Sequence, residues 1–145
     1  MKIGVLSDTH DRLPESVVRA LAGAEEIWHL GDVCLPGTLA GLKQIGVPLR
    51  VVRGNCDSGT FWPEQLDLRV EGLRVRLIHI PPKRPPEGFD LLLHGHTHVP
   101  RNEMFSQTRF LNPGCVTRPN RGAPASFAWL DLTEGEPPRW TLVGC

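Results

Sequence analysis

Up to Asn55 the chain alternates between two kinds of segment. "KIGVLSD" is an apolar run ending in Asp8, "EIWHLGD" ends in Asp32, and "PLRVVRGN" ends in Asn55. Between them, "PESVVRALAGA" carries apolar residues at helical spacing behind Pro14, which suits a first helical turn. "PGTLAGLKQIG" does the same and closes on Gly46. Strand, helix, strand, helix, strand predicts parallel pairing with right-handed crossovers. It also predicts that the polar strand ends gather along one sheet edge, where open α/β sheets bind ligands.

Beyond Asn55 the pattern changes. "DLRVEGLRVRLIHI" reads as two short strands turning at Glu71-Gly72, and "DLLLHG", "EMFSQTRFLNPG", "ASFAWLDL" and "RWTLVGC" read as further strands, several in hairpins. The expected fold is α/β: one mixed sheet or two packed sheets, with helices mainly in the first half. At 145 residues the chain suits a single domain, 1–145, able to bury a core without staples. Only ten residues, four of them proline, separate His79 from Asp90. That leaves no room for a crossover helix. One sheet face near "DLLLHG" is therefore expected to be bare, and a bare apolar face predicts a homo-oligomer, a two-fold dimer in the simplest case.

Sixteen basic and sixteen acidic residues give a formal net charge of zero, which argues against a dedicated nucleic-acid surface. The four cysteines, Cys34, Cys56, Cys115 and Cys145, are widely spaced and form no C-x-x-C pair, so reduced thiols are expected. "MKIGVLSDTH" is too brief an apolar run for a signal peptide, and no segment approaches a membrane span. A cytoplasmic protein without a membrane partner is expected.

The strand ends carry the chemistry. Asp8, Asp32, Asn55, His79 and His96 each sit at or just past an apolar run, and glycine precedes three of them: Gly31-Asp32, Gly54-Asn55 and Gly95-His96. Asp8-Thr9-His10 and His96-Thr97-His98 place paired donors two residues apart. Carboxylate, amide oxygen and imidazole delivered to one edge describe a metal centre without thiolates, suited to Mn, Fe, Co, Ni or Zn. His94 reads as a strand histidine bonded to backbone, and His29 as structural. Cys34 and Cys115 need no catalytic role. Arg53, Arg118 and Arg121 are candidates to meet a phosphate but read first as solvated side chains. Asn112 opens an "NPG" turn suited to orienting loops.

"SDTH" (Ser7 to His10), "GD" (Gly31, Asp32), "GNCD" (Gly54 to Asp57), His79 and "GHTH" (Gly95 to His98) together resemble the calcineurin-like metallophosphoesterase signature. "NPGCVTRP", Asn112 to Pro119, resembles a segment of the small bacterial and archaeal phosphodiesterase branch. The resemblance implies a sandwich of two mixed β-sheets flanked by helices. It implies two divalent transition-metal ions, manganese first, with nickel, cobalt, iron or zinc as alternatives. One ion would take Asp8, His10 and His98, the other Asn55, His79 and His96, and Asp32 would bridge. Two such ions, about 3.5–4 Å apart, form a clamp for in-line displacement by a bridging hydroxide. With Asp8 and Asp32 ionised, the site would keep a net positive charge suited to a phosphodiester anion.

The sequence departs from the family pattern at two places. Many members carry histidine where Cys56 stands, with an aspartate, here Asp57, orienting its ring. Catalytic roles are therefore expected for Asp32, Asn55, Cys56 and Asp57, with leaving-group protonation the open one. Ile80 also replaces the usual glycine after His79. The resemblance implies hydrolysis of a small phosphodiester. Its alternatives are a phosphomonoesterase or nucleotide phosphatase on the same centre, and a non-catalytic scaffold of the same fold.

Overall fold

A computed structural model describes residues 1–59 and 61–145. The strands β1 (Lys2–Leu6), β2 (Glu26–His29) and β3 (Leu49–Val51) pair in parallel, as the alternating first half predicts. Five further strands follow: β4 (Gln65–Val70), β5 (Leu73–Ile78), β6 (Leu91–Leu93), β7 (Arg101–Phe105) and β8 (Thr108–Asn112). The chain then returns to the first sheet. β9 (Ser126–Asp131) pairs antiparallel with β1, and β10 (Arg139–Gly144) pairs with β9, giving the order β10-β9-β1-β2-β3. The second sheet has the order β4-β5-β6-β8-β7, parallel at β5-β6-β8 and antiparallel at both edges. Glu71 and Gly72 both adopt positive φ, 48° and 79°, the conformation a two-residue hairpin needs.

The helices are shorter than their spacing predicts. α1 (Glu15–Ala20) decays into a 3-10 turn at Leu21–Gly23, and α2 (Ala40–Gln44) follows a 3-10 turn at Pro36–Leu39. Neither has a side-chain cap on its first amides, and Gly37 and Gly41 weaken the second. Segments this short persist through burial rather than propensity. Val17, Leu21, Leu39 and Leu42 pack with Leu6, Ile27 and Phe127 on the outer face of the first sheet. Between the sheets, Ile3, Val5, Trp28, Leu30 and Val52 meet Val75, Leu77, Leu91, Leu93 and Leu111 in one core. Both sheets thus share a single apolar interior, and their strand ends are held at one edge.

The expectation of a bare face near "DLLLHG" is not met. Leu92 and its cross-strand partner Phe110 point away from the inter-sheet core, yet both are fully buried. The guanidinium of Arg101 lies over the Phe110 ring at 4.5 Å, and Phe105 packs against that ring at 5.5 Å. Arg76 and Arg74 lie over Phe89 at 4.3 and 4.9 Å. Aromatic rings under arginine stems replace the missing helix. The dimer expected from an uncovered face loses its physical basis. No helix among the described residues is long and apolar enough to cross a membrane.

Phe110→Ala removes the centre of this cover. It should lower stability by about 3–5 kcal/mol, read from urea unfolding. A loss under about 1 kcal/mol would mean that the arginine layer covers the face without the ring.

Candidate metal centre

Five strands deliver donors to one edge: β1 leads into Asp8, β2 into Asp32, β3 into Asn55, β5 into His79 and β6 into His96. Backbone bonds join the loops directly. Asp8 N–H donates to Gly31 O (2.9 Å), His10 N–H to Asp32 O (3.0 Å), and Gly95 N–H to His79 O (3.1 Å). Asp8, His10, Asp32, His96 and His98 all have positive φ, between 44° and 72°. This left-handed backbone is costly for residues with a side chain and is found where a site over-determines the chain. Gly54 and Gly95 permit the close approach. A Cβ on Gly54 would meet the backbone nitrogen of Asp32, and one on Gly95 would lie 2.7 Å from Asp8 Oδ2.

Asp8 is fully buried, and its two oxygens differ. Oδ2 accepts from Ser7 Oγ (2.6 Å) and from the His96 amide (3.1 Å). Oδ1 has no hydrogen-bond partner. It faces three imidazole nitrogens instead: Nε2 of His98 at 3.2 Å, of His10 at 3.7 Å and of His79 at 3.9 Å. Asp32 Oδ2 lies 3.3 Å from His79 Nε2 and 3.7 Å from His10 Nε2, between the two expected ligand sets. Asn55 Oδ1 is 3.0 Å from both His79 Nε2 and His96 Nδ1. The ring nitrogens of His10 and His98 stand 3.2 Å apart.

Outer partners fix which nitrogens face inward. His79 Nδ1–H donates to Leu30 O (2.7 Å), and His98 Nδ1–H donates to Arg118 O (2.6 Å). Each therefore presents a lone pair at Nε2, as metal-ligating histidines do. Lone pairs and a partnerless carboxylate oxygen crowded together fit a cation. All seven expected ligands converge here. Asp8 with His10 and His98, and Asp8 with Asp32 and His79, form groups compact enough to hold an ion. Asp8, Asp32 and His79 form the buried floor, and Asn55 and His96 are exposed, leaving one side open.

Burial pushes the Asp8 carboxyl above its usual range, with the Ser7 hydroxyl pulling the other way. Asp32 is also buried, but the His79 imidazole beside it and the hydrogen bond from the Cys56 amide outweigh this and hold its carboxyl well below that range. His79 is pushed down by burial and more strongly up by Asp32 and Asp8, so its net shift is upward. The floor is thus an anionic pocket with one strongly ionised carboxylate.

Asp57, expected among the catalytic residues, anchors loops in this structure. Its carboxylate is buried and accepts three backbone amides: Asp32 (3.0 Å), Cys34 (2.7 Å) and Gly54 (2.7 Å). It ties together the loops after β2 and β3. Cys56 is exposed, and its amide donates to Asp32 Oδ1 (2.8 Å). Burial and nearby carboxylates raise the Cys56 thiol, and they raise Cys34 to about 11. Asn112 orients loops as expected, with Nδ2 donating to Gly95 O and Thr97 Oγ1, both at 3.1 Å. Cys115 is buried and donates its S–H to Asp8 O (3.1 Å). Ser7 and Thr117 were not singled out by sequence. Ser7 fixes Asp8, and Thr117 Oγ donates to Thr9 O (3.2 Å). For Ser7 the signal was its place in "SDTH"; for Thr117 there was none.

The remaining candidates lie outside the cluster. His29 accepts from the Gly31 amide at Nδ1 and donates from Nε2 to Thr9 Oγ1 (both 3.1 Å), a structural role. His94 donates from Nδ1 to Gly95 O (2.9 Å) and accepts at Nε2 from Arg101 (3.3 Å). Arg53 pairs with Glu64 (2.7 Å) and, with Asn55, His79 and Ile80, lines a cleft of about 400 Å³ beside the centre. Arg118 and Arg121 are exposed.

Two packed mixed sheets with carboxylate, amide and imidazole donors at a common edge define a metal-binding α/β sandwich. The chain belongs to the calcineurin-like phosphoesterase superfamily, whose domain matches residues 1–135. It is 36% identical to a probable metallophosphoesterase of Methanothermobacter thermautotrophicus, covering 86% of this chain and 83% of that one. It is 33% identical to phosphodiesterase YfcE of Escherichia coli, covering 90% and 88%. The solved structure of the E. coli YfcE phosphoesterase superposes with a TM-score of 0.80 at 31% identity, covering 90% of this chain and 88% of that one. Zinc-bound Vps29 of Entamoeba histolytica superposes at 0.79 with 20% identity, covering 99% and 98%, and shares the fold. The protein is accordingly a metal-dependent phosphoesterase, a hydrolase.

His94, just outside the cluster, gives a pH signature. Burial lowers its pKa from 6.5 to about 4, so the unfolded chain takes up this proton at higher pH than the folded one. The resulting stability is complete above pH 6.5 and is lost as pH falls from 6.5 to 4, about 3 kcal/mol in all. His94→Gln should flatten the acid loss of stability in urea unfolding between pH 7 and 4. An unchanged profile would assign the acid sensitivity to other groups.

Proposed function

We propose that the centre takes two divalent transition-metal ions, manganese first, and hydrolyses a small phosphodiester. Asp8, His10 and His98 would hold one ion and Asn55, His79 and His96 the other, with Asp32 shared. The observation that carries this reading is Asp8 Oδ1, a buried acceptor without a donor that faces three imidazole nitrogens. When bound, such ions polarise a phosphoryl oxygen and lower the pKa of a water so that hydroxide is available for in-line attack. The chain does the rest. Leu30 O and Arg118 O hold His79 and His98 with Nε2 inward. Asp57 holds Asp32 through its backbone. The exposed side at Asn55, Cys56 and His96 admits the phosphoryl group, and the cleft between Arg53 and Ile80 receives one alcohol arm.

A diester is favoured over a monoester by the likeness to a relative named a phosphodiesterase. A scaffold role, suggested by fold neighbours named Vps29, would leave the full donor set without a use. The four free thiols suit a reducing compartment, the cytoplasm.

Manganese added after chelation should restore turnover of a chromogenic diester, and more strongly than turnover of its monoester. Asp32→Asn should bind at least one ion fewer and lose at least about a hundredfold in rate, with an unchanged circular dichroism spectrum. Wild-type rates with two bound ions would sink the assignment. Cys56 is a weak proton donor beside imidazolium. Cys56→His should therefore make log rate depend less steeply on leaving-group pKa. Equal slopes would remove both side chains from leaving-group departure.

A further inference from the structure

Two thiols lie beside the centre and take no part in the ligand set described above. Cys34 Sγ, Cys56 Sγ and His10 Nδ1 fall within 4.8 Å of one another. Cys34 Sγ is 3.7 Å from His10 Nδ1. Zinc binds sulfur at about 2.3 Å and imidazole nitrogen at about 2.0–2.1 Å, so two such ligands at a tetrahedral angle stand roughly 3.6 Å apart. The observed separation fits two ligands on one ion. Backbone bonds hold the thiols where they are. The Cys34 amide donates to Asp57 Oδ1, the Cys56 amide donates to Asp32 Oδ1, and Cys34 adopts φ 71°. Each cysteine is thus anchored to the other's loop, and the two side chains converge over His10. Cys56 is exposed, so ions have access and a fourth position is open to water.

We infer that Cys34, Cys56 and His10 Nδ1 form a second cation site, selective for thiophilic ions of the zinc and cadmium class. Two of its three donors are soft thiolates, whereas the neighbouring centre offers carboxylate, amide and imidazole donors and no sulfur, so thiophilic ions prefer the cysteine site. They share one side chain. His10 Nε2 faces Asp8, Asp32 and His98, while Nδ1 faces Cys34. A neutral imidazole has one lone pair, on one nitrogen or the other. A thiophilic ion bound at Nδ1 therefore withdraws His10 from the hydrolytic centre. Soft-metal binding and loading of that centre oppose each other, and this competition rests on the dinuclear reading above.

The test is a cadmium titration of the metal-free protein, followed by thiolate-to-cadmium absorption in the ultraviolet. In wild type and in Cys145→Ser the thiolate band should correspond to one cadmium ion per chain, with release of two thiol protons. Cys34→Ser, Cys56→Ser and His10→Gln should each weaken binding at least about tenfold, the least that loss of a supporting group costs. The double variant Cys34→Ser with Cys56→Ser should lose the band. A band that survives in the double variant, disappears in Cys145→Ser or never forms in wild type overturns the site. One equivalent of cadmium should also lower the number of manganese ions bound by one, and an unchanged number overturns the competition. A protein that binds cadmium as described but no manganese would sink the dinuclear reading and leave the thiol site standing.

Discussion

A buried carboxylate oxygen with nothing to accept from is costly to a fold, and the rest of the site end is arranged around one. Asp8 cannot turn its bare Oδ1 away, because Ser7 and the His96 amide clamp the other oxygen. Three imidazole nitrogens face Oδ1, and two of those rings are themselves locked by backbone carbonyls. The local structure thus accumulates electron pairs around one point and fixes them there. A cation relieves that crowding, and the same fixation gives it preorganised ligands.

Holding the donors so close has a conformational cost. Five of the seven expected ligand residues adopt left-handed backbone, which costs on the order of 1 kcal/mol or more at each. The inter-sheet core and the loop-to-loop amide bonds offset it. Asp57 contributes three such bonds from one side chain, so a charge that could have served in proton transfer serves as an anchor. The thiols of Cys34 and Cys56 inherit their convergence from the same anchoring.

Much of this was legible in the sequence because it depends on local pattern. Apolar runs ending in Asp8, Asp32 and Asn55 announced strands and an edge, and Glu71-Gly72 announced a hairpin. All seven expected donors could be named because each stands in the loop just past an apolar run, five at its end and His10 and His98 two residues further on. What was not legible depends on partners far along the chain. Asp57 meets the amides of Asp32 and Cys34, more than twenty residues away, and an aspartate's spelling does not say whether it will accept from backbone or from a ring. The cover on Leu92 and Phe110 comes from Arg101 and Phe105, whose exposed-looking alternation hides a stacking role. The periodicity overstates helix length because it records which face is buried, not where missing caps let a short helix tighten into a 3-10 turn.

The placement of β1 in the middle of its sheet bears on how the chain is made. On one side β1 meets β2, its near neighbour in sequence; on the other it meets β9, with Lys2 opposite Asp131. Every donor has been synthesised once His98 emerges, yet the strand that leads into Asp8 still has an open edge then. Contacts of such long sequence separation form late. A nascent chain therefore carries all seven expected donors before it has the sheet that orders them. The C-terminal hairpin, Ser126 to Gly144, closes that edge against β1 and completes the sheet that holds Asp8.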